Sequence, residues 1–388
     1  MKGKELYEQR VIDARTVADG GVPSRVPTMI IPGSGLYAYG GTTLRKALDM
    51  DPVEGAIAFT KIYDDMWTDL AFTMGWGVTQ RGYEAMGPAG ENFIGPDDVT
   101  IEHKSNVFMR DDEYELLSGD VLSYVKNILI PRKYSWLFEE ENKEKAVKAL
   151  ETVIDDTNYV YGVLNAAIEE RYVNEYGIVR VGDDYKAAYL PIDDILYNLR
   201  GFAETLVDLR RRKDKVMKAC ESLWEIKKPV FYPAEGPLMY ATWYPIIPTY
   251  LSPKQFEEIY WPYFKQNVDI ALEAGVKNII TLEGEWLKFG SILLDLPRYS
   301  CIMEADDDDV VEMKNLFTGY QAVAGGVNSK DLASLSKEEC LDGVRRIMDE
   351  CAPGGGFIYG NGKAVLCPID ANRNLVDTFN LAHELGKY

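Results

Sequence analysis

The stretch Val276-Lys-Asn-Ile-Ile-Thr-Leu-Glu-Gly-Glu-Trp286 decides the fold that we predict for this chain. Its first half is a short run of apolar and β-branched residues, and the run ends abruptly at Glu283 and Gly284. A run of this length and composition, followed at once by an acidic residue and a glycine, is typical of a buried strand. We therefore predict a strand over residues 276–281 that carries the Glu283 carboxylate at its C-terminal end.

Three later segments repeat this plan. Strand-like runs over residues 299–304, 320–324 and 355–359 each lead into an acidic or glycine-rich loop. Helical patterns separate or follow them, over residues 307–317, 336–351 and 372–385. Strand, loop and helix in alternation, without hairpin signals, predict parallel βα units. We predict a (β/α)₈ TIM barrel of the α/β class, in which the loops after the strands converge on one site.

The whole chain, residues 1–388, is predicted to form a single TIM-barrel domain. Residues 1–25 read as an N-terminal helical extension, and the first strand is expected near residue 26. Residues 78–135 mix glycine, proline and charge, which indicates an insertion or a lid over the barrel mouth, or else an irregular second hairpin region. Residues 143–170 predict a long amphipathic helix. Ser252, followed by Pro253 and Gln255, predicts a capped helix start.

Composition and charge exclude several classes of function. The chain has 62 acidic and 42 basic residues, a net charge of −20, which argues against binding to nucleic acid. No apolar run approaches the roughly 20 residues that span a bilayer, and no signal-peptide pattern is present. The five cysteines are scattered and lack CxxC spacing. We expect a cytoplasmic protein with reduced thiols.

Several motifs resemble the uroporphyrinogen decarboxylase superfamily. Leu251-Ser-Pro-Lys-Gln-Phe-Glu-Glu-Ile-Tyr-Trp-Pro-Tyr-Phe-Lys265 resembles a helix of that superfamily. Ala324-Gly-Gly-Val-Asn328 resembles one of its strand ends, and Gly354-Gly-Gly-Phe-Ile-Tyr359, followed by Asn372-Arg-Asn-Leu375, resembles its C-terminal part. The likeness spans most of the chain and is weak over residues 78–225. It implies the same barrel fold as the βα rhythm.

The superfamily contains at least three functions. Its decarboxylases hold substrate carboxylates through arginines near the first strand, but the loop over residues 32–40 has no arginine. Its methylcobamide:coenzyme M methyltransferases bind zinc through a His-x-Cys motif, and the aligned residues here are Thr281-Leu-Glu283. The remaining group transfers methyl groups to corrinoid proteins in anaerobes and includes the aryl-ether O-demethylases. The aromatic-rich loops favour this group.

The resemblance therefore implies a methyltransferase that moves a methyl group from a small donor, predicted to be an aryl methyl ether, to the cobalt(I) of a separate corrinoid protein. The phenolic oxygen needs a general acid or a Lewis-acidic metal as it leaves. Glu283 is the candidate catalytic residue. Glu283, Glu304, Asp306 and Cys367 are candidate ligands for a zinc ion.

Each of these candidates has a structural alternative. Glu283 could be a buried carboxylate held by hydrogen bonds, and the acidic residues 306–309 could occupy the first turn of a helix. Cys367 could be a small buried apolar residue. Asn328 could occupy a turn that accepts positive φ.

Aromatic residues at or near the predicted strand ends are candidates for contact with a planar substrate. A methoxylated ring would stack on such side chains, whereas a quaternary amine would be held by cation–π contacts. Packing in the core is the alternative for each of them. The candidate substrate-binding residues are Tyr37, Tyr39, Trp76, Trp243, Tyr244, Asn328 and Tyr359.

Two other functions stay open at this stage. The chain could be a methylcobamide methyltransferase that acts on a thiol or pterin acceptor, or a noncatalytic barrel that binds a tetrapyrrole or corrinoid. The expected partners are a corrinoid protein and a small methylated substrate, and homodimerisation is left open. The sequence does not determine the identity of the donor.

Overall fold

The computed structural model describes residues 2–72, 80–87, 92–104, 107–182, 185–186, 189–229 and 238–388. Within these ranges, parallel strands alternate with helices, as the sequence predicts most clearly after residue 274, and β3 and β4 form a separate antiparallel pair. The strands are β1 (Thr28–Ile30), β2 (Leu70–Phe72), β3 (Asn92–Ile94), β4 (Ile101–His103), β5 (Val179–Val181), β6 (Tyr185–Lys186), β7 (Tyr240–Trp243), β8 (Lys277–Leu282), β9 (Cys301–Ala305), β10 (Ala322–Gly325) and β11 (Phe357–Gly360).

Helices cover the outside of the sheet, and shorter 3₁₀ and π turns lie between several of them. The α-helices are α1 (Lys2–Ala18), α2 (Gly35–Tyr39), α3 (Leu44–Ala47), α4 (Pro52–Thr60), α5 (Gln80–Ala85), α6 (Tyr114–Gly119), α7 (Val121–Tyr124), α8 (Ile130–Lys133), α9 (Lys143–Thr157), α10 (Asn165–Arg171), α11 (Pro191–Asp194), α12 (Phe202–Arg211), α13 (Lys213–Lys227), α14 (Pro253–Gln255), α15 (Trp261–Glu273), α16 (Gly290–Leu293), α17 (Val310–Phe317), α18 (Ser329–Ser334), α19 (Lys337–Cys351) and α20 (Arg373–Leu385).

The main sheet closes on itself. Its strands pair in parallel in the order β5, β2, β1, β11, β10, β9, β8, β7, β6. The two ends of this order, β5 and β6, are three residues apart in sequence, and Thr242 Oγ1 of β7 donates to the carbonyl oxygen of Gly182, just after β5, at 2.8 Å. We therefore count β5 and β6 as two parts of one barrel strand. Counted this way, the described residues form eight parallel strands. The predicted (β/α)₈ barrel is confirmed.

Side chains alternate between the inside and the outside of the barrel because successive strand residues point to opposite faces. Met29, Ile279, Ile302 and Ile358 lie in one buried apolar cluster inside the barrel. Their strand neighbours, such as Ile280, lie in the larger cluster between the sheet and the helices. This alternation decides which residues beyond each strand end can face the mouth.

Helix α1 closes the N-terminal end of the barrel. Its residues Val11, Ala14 and Val17 belong to the same buried cluster as the inward strand residues. Lys277 Nζ, at the start of β8, donates to the carbonyl oxygen of Ala18 at 2.8 Å, and Tyr240 Oη donates to that of Ala14 at 3.2 Å. The opposite, C-terminal end is therefore the end at which a cavity forms.

Local capping signals in the sequence specify helix starts correctly. Ser252 and Gln255 form a reciprocal capping box, with Pro253 in the first turn of α14. The predicted helix over residues 143–170 is observed as α9, a π segment over Asn158–Leu164, and α10. None of the helices in the described part of the chain has the length and hydropathy that a bilayer span requires.

Candidate active site at the barrel mouth

A cavity of about 520 Å³ lies at the C-terminal ends of the strands. We refer to it as the mouth cavity. Its floor and walls come from loops after β7, β8, β9 and β11, from the start of α12, and from the β3–β4 hairpin. The described residues that line it are His103, Leu196, Tyr197, Gly201, Phe202, Ile246, Thr249, Tyr250, Glu283, Gly284, Asp306, Asp307 and Lys363.

Glu283 and Asp306 occupy equivalent places after neighbouring strands. Leu282 of β8 pairs with Ala305 of β9, so the residues that follow both strands reach the same level of the barrel. Gly284 N donates to Asp306 Oδ2 at 3.1 Å, which ties the two loops together. Gly284 has φ +79°, and a Cβ there would lie 2.5 Å from Thr249 Oγ1. The glycine after Glu283 is therefore required for this loop to form.

The surroundings of Glu283 favour its protonated form. Burial raises the pKa of the Glu283 carboxyl, the nearby Asp306 carboxylate raises it further, and Lys363 opposes both effects. Lys363 Nζ lies 3.4 Å from Asp306 Oδ1, so this cation is shared with the second carboxylate. Glu283 is thus a half-buried acid that faces a cavity, which is the environment that a general acid needs.

Glu304 lies one layer below the mouth cavity, inside the barrel. Thr281 pairs with it across the β8–β9 ladder, and Thr281 Oγ1 donates to Glu304 Oε2 at 2.7 Å. Its side chain is buried, and burial raises the pKa of the Glu304 carboxyl to about 7. Oε1 has no hydrogen-bond partner among the described residues. Glu304 is therefore a buried carboxyl beneath the cavity, and it is not among the residues that line it.

The acidic residues after Asp306 stabilise neighbouring loops and a helix. Asp308 Oδ2 accepts hydrogen bonds from the backbone of Trp286 at 2.5 Å and of Leu287 at 3.2 Å. Asp309 caps α17, where its Oδ1 accepts from Val311 N at 2.9 Å. The helix-start alternative is therefore correct for Asp309.

Cys367 does not join the carboxylates at the mouth. Its Sγ donates to Asp370 Oδ2 at 3.0 Å, and burial together with Asp370 raises the pKa of the Cys367 thiol to about 11. Across the described ranges, no three His, Cys, Asp or Glu side chains are grouped closely enough to hold a metal ion. The four predicted zinc ligands do not come together at one place; they are Glu283, Glu304, Asp306 and Cys367. The arrangement of these side chains therefore does not support the prediction of a zinc site, and bound zinc stays a prediction.

Three of the predicted substrate contacts are core residues. Tyr37 packs its ring 5.3 Å from that of Phe59, and its side chain is buried. Trp243 and Tyr359 sit on the outward faces of β7 and β11, and their neighbours there are Phe264 and Phe379. None of the three is among the described residues that line the mouth cavity. The structure corrects these predictions in favour of the core-packing alternative.

The other predicted contacts lie at varied places. Tyr39 Oη donates to Asp65 Oδ2 at 2.6 Å, away from the mouth cavity. Tyr244 is partly buried and is also outside the set of described lining residues. Trp76 lies outside the described residues. The positions of Tyr39 and Tyr244 give no support to a role in substrate binding.

Asn328 has a structural role and borders a smaller cavity. Its Oδ1 accepts from Asp331 N at 2.9 Å and caps α18, and its φ is −70°, so the positive-φ alternative is wrong. The smaller cavity measures about 280 Å³ and shares Asp306, Asp307 and Lys363 with the mouth cavity. Asn328 is therefore near the site without lining its main chamber.

The aromatic wall of the mouth cavity comes from residues that the sequence did not single out. His103 stacks on Tyr197 with ring centroids 4.6 Å apart and planes at 19°. Phe202 meets Tyr250 edge to face at 4.6 Å. Tyr189 stacks on Tyr197 with ring centroids 6.1 Å apart, so it lies beside this wall. In the sequence, the tyrosines at residues 189 and 197, on either side of the helix start at Pro191, were the signal from which this aromatic wall could have been predicted.

Comparisons with known proteins support the fold. No protein-family model matches the chain, and no curated protein matches it in sequence. Among solved structures, a methyltransferase from Methanosarcina mazei matches with a TM-score of 0.54 and 11% identity, over 97% of this chain and 98% of that chain. At this level of identity the likeness concerns the fold alone. The chain therefore has a barrel similar along its whole length to that of a methyltransferase.

Proposed function

We propose that the protein is a methyltransferase that takes a methyl group from a small donor in the mouth cavity and passes it to the corrinoid of a separate protein. The observation that carries the proposal is Glu283, a half-buried carboxyl with a raised pKa that faces an aromatic-walled cavity at the C-terminal ends of the strands. The whole-chain likeness in fold to a methyltransferase is consistent with it.

An aryl methyl ether is the first candidate donor. Its ring would lie against the wall formed by Tyr197, Phe202 and Tyr250, with the ether oxygen towards Glu283. The methyl carbon passes to the reduced corrinoid acceptor as its bond to oxygen breaks, and the bonding electron pair stays on the oxygen. Glu283 donates its proton to that oxygen, so a neutral phenol leaves. The raised pKa of the Glu283 carboxyl favours the protonated form that this step requires.

A methylated ammonium is a second candidate donor, favoured by the charge of the lining. Three carboxylates, Glu283, Asp306 and Asp307, face the cavity with one lysine, Lys363. Carboxylates and aromatic rings together attract a quaternary ammonium group. Such a donor leaves as a neutral amine and needs no proton, so Glu283 would act through its charge. The two candidates therefore predict different effects when Glu283 is made neutral.

The decisive experiment mixes the protein with a reduced corrinoid protein and a panel of methoxyarenes, methylamines and methanol. Methylation of the corrinoid is followed by its absorption spectrum. For a methoxyarene, Glu283→Gln is expected to lower the rate by about 10²- to 10⁴-fold, the usual contribution of a general acid. Glu285→Gln, at an exposed position two residues away, is the matched control and should retain the rate.

Three other results of this experiment would point to a different function. Methylation by none of the donors overturns the proposed reaction. Tight binding of a corrinoid without methyl transfer favours the noncatalytic barrel. Demethylation of a methylated corrinoid by a thiol or pterin favours the reverse type of methyltransferase.

Zinc is tested separately because no step above passes through a metal. Mass spectrometry of the purified protein measures its zinc content. Stoichiometric zinc that is lost in Glu283→Ala would restore the predicted metal site, whereas zinc that is absent, or retained in the variant, would remove it.

A further inference from the structure

Lys363 lines the mouth cavity, and the loop after β11 holds its backbone in place. Asn361 is 4% exposed, its Oδ1 accepts from Ile31 N at 2.9 Å, and its Nδ2 donates to the carbonyl oxygen of Lys363 at 2.6 Å. Gly362 has φ +64°, and a Cβ there would lie 2.3 Å from the carbonyl oxygen of Ala305. This tight turn therefore fixes Lys363 close to the ends of β1 and β9.

The Lys363 side chain stands between two cavities and can still donate to a ligand. It lines both the mouth cavity and the smaller cavity of about 280 Å³, and it is 49% exposed. Its Nζ lies 3.4 Å from each carboxylate oxygen of Asp306, which is longer than the roughly 2.9 Å of a usual N–H···O hydrogen bond. Within the described ranges these are its only polar contacts, so an ammonium with several N–H donors retains capacity for a ligand oxygen.

Glu283 and Lys363 face the same part of the mouth cavity. Asp306 Oδ2 is contacted both by Gly284 N, at 3.1 Å, and by Lys363 Nζ. The charges of Glu283 and Lys363 also interact, because the lysine opposes the rise in the pKa of the Glu283 carboxyl. A ligand atom that reaches Glu283 is therefore also close to the Lys363 ammonium.

The aspartates beside Lys363 are paired with cations. Asp306 contacts Lys363 itself, and Asp307 Oδ1 accepts from Lys330 Nζ at 2.8 Å. Two lysines thus face two aspartates, and a protonated Glu283 adds no charge to this group. A negative charge that develops beside Glu283 consequently meets an ammonium without an excess of like charge from these residues.

We infer that Lys363 selects donors that release the methyl group from oxygen, because its ammonium stabilises the negative charge that develops on the leaving oxygen. This inference rests on the proposed methyl transfer. As the methyl carbon passes to the reduced corrinoid acceptor, the carbon–oxygen bond breaks and its electron pair stays on the oxygen. Lys363 keeps its proton and lies beside this charge, which the proton of Glu283 then neutralises. A methylated ammonium leaves as a neutral amine, so Lys363 does not assist its departure and repels the charge of the donor.

The first test uses 4-nitrophenol, which stands in for the leaving phenol and absorbs strongly at visible wavelengths only when it is ionised. The probe is bound with the protein in excess, and its absorption is titrated with pH. In Lys363→Met the bound phenol should ionise at a higher pH than in the wild type, by about 1 to 3 pKa units, the usual effect of removing one nearby opposite charge. Lys363→Arg, which keeps the charge, should restore the wild-type value. Lys337→Met is the control, at an ion-paired lysine of α19 that is not among the described lining residues of either cavity, and it should change nothing.

The second test compares the two classes of donor. In the corrinoid assay, Lys363→Met should lower the rate with methoxyarenes by about 10²-fold, the lower end of the effect of removing one group that stabilises an oxyanion. In isothermal titration calorimetry, the same variant should bind tetramethylammonium more tightly than the wild type does, since a repelling charge has been removed. A purely structural role would weaken both. Circular dichroism of each variant checks that the fold is retained.

Failure of this inference and failure of the proposed function give different results, because the 4-nitrophenol titration involves no methyl transfer. A wild-type protein that does not bind 4-nitrophenol, or equal ionisation of the probe in wild type and Lys363→Met, overturns the role of Lys363. Equal losses with methoxyarenes and tetramethylammonium overturn it as well. Inactivity of the wild type with every donor, despite a difference in the titration, overturns the proposed reaction instead.

Discussion

The buried ion pair between Arg10 and Asp69 should be among the most costly interactions to break in this barrel. Arg10 Nε donates to Asp69 Oδ1 at 2.7 Å, with side chains only 6% and 3% exposed. Asp69 also accepts from Thr28 N at 2.9 Å and from Trp67 Nε1 at 2.9 Å. One carboxylate thus connects α1, the start of β1 and the residues before β2.

Asp69→Ala leaves the Arg10 guanidinium buried without its counter-charge. Removing one member of a buried pair costs about 3 to 5 kcal/mol in the free energy of unfolding, because the remaining charge stays desolvated. Arg10 keeps one hydrogen bond, from Nη1 to the carbonyl oxygen of Tyr176 at 2.8 Å, which favours the lower part of that range. The Arg10→Met, Asp69→Ala double variant should lose less than the sum of the single losses, since it removes both charges.

The assay is urea-induced unfolding at pH 7, followed by circular dichroism, with the slope of the transition checked for constancy. Asp342→Ala is the control. Its partner Arg345 lies at 2.5 Å, but the two side chains are 68% and 45% exposed, so the expected loss is far smaller than for Asp69→Ala. Equal losses for Asp69→Ala and Asp342→Ala would refute the reasoning that burial makes the first pair important.

Three further predictions follow from individual groups. Arg132 lowers the pKa of the Glu113 carboxyl from 4.5 to about 2. The stability that this gives is present above pH 4.5 and is lost as the pH falls towards 2, so acid unfolding curves of Glu113→Gln should be flatter over that window. Phe202→Leu, which removes an aromatic ring from the mouth cavity, should weaken binding of a methoxyarene about tenfold in isothermal titration calorimetry while thermal unfolding changes little. Glu283→Gln should weaken binding of choline but not of its neutral isostere 3,3-dimethylbutanol if an ammonium is the donor, and equal effects on the two ligands would exclude a role for charge.

The βα rhythm and the position of Glu283 were predictable from the sequence because both depend on local signals. A short buried run followed by an acid and a glycine specifies a strand and its end, and β8 with Glu283 beyond it agrees with that prediction. Helix starts at Ser252 and Asp309 are likewise set by a side chain that bonds the backbone two or three residues on.

The orientation of strand residues was not predictable from the same patterns. Strands of a parallel barrel are buried on both faces, so their sequences are apolar throughout and do not show which side chains point inward. Trp243 and Tyr359 therefore read as mouth residues, although the closed barrel turns both towards the helices. The sequence also did not show that Cys367 is separate from the carboxylates at the mouth. Its hydrogen bond to Asp370 depends on how the loop after β11 folds, which the pattern of residues does not determine.

The sequence by itself determined the barrel, its helix caps and one catalytic candidate, because each depends on residues that are neighbours in the chain. Only the tertiary structure decided the aromatic wall of the cavity. His103 comes from the β3–β4 hairpin, Tyr197 from a π segment, Phe202 from the start of α12 and Tyr250 from a 3₁₀ turn after β7. Tyr197 and Phe202 are close in sequence, whereas His103 and Tyr250 lie far from both. These side chains come together because closure of the sheet brings the C-terminal ends of all strands to one mouth. A local sequence pattern cannot show which residues from different segments will be neighbours there.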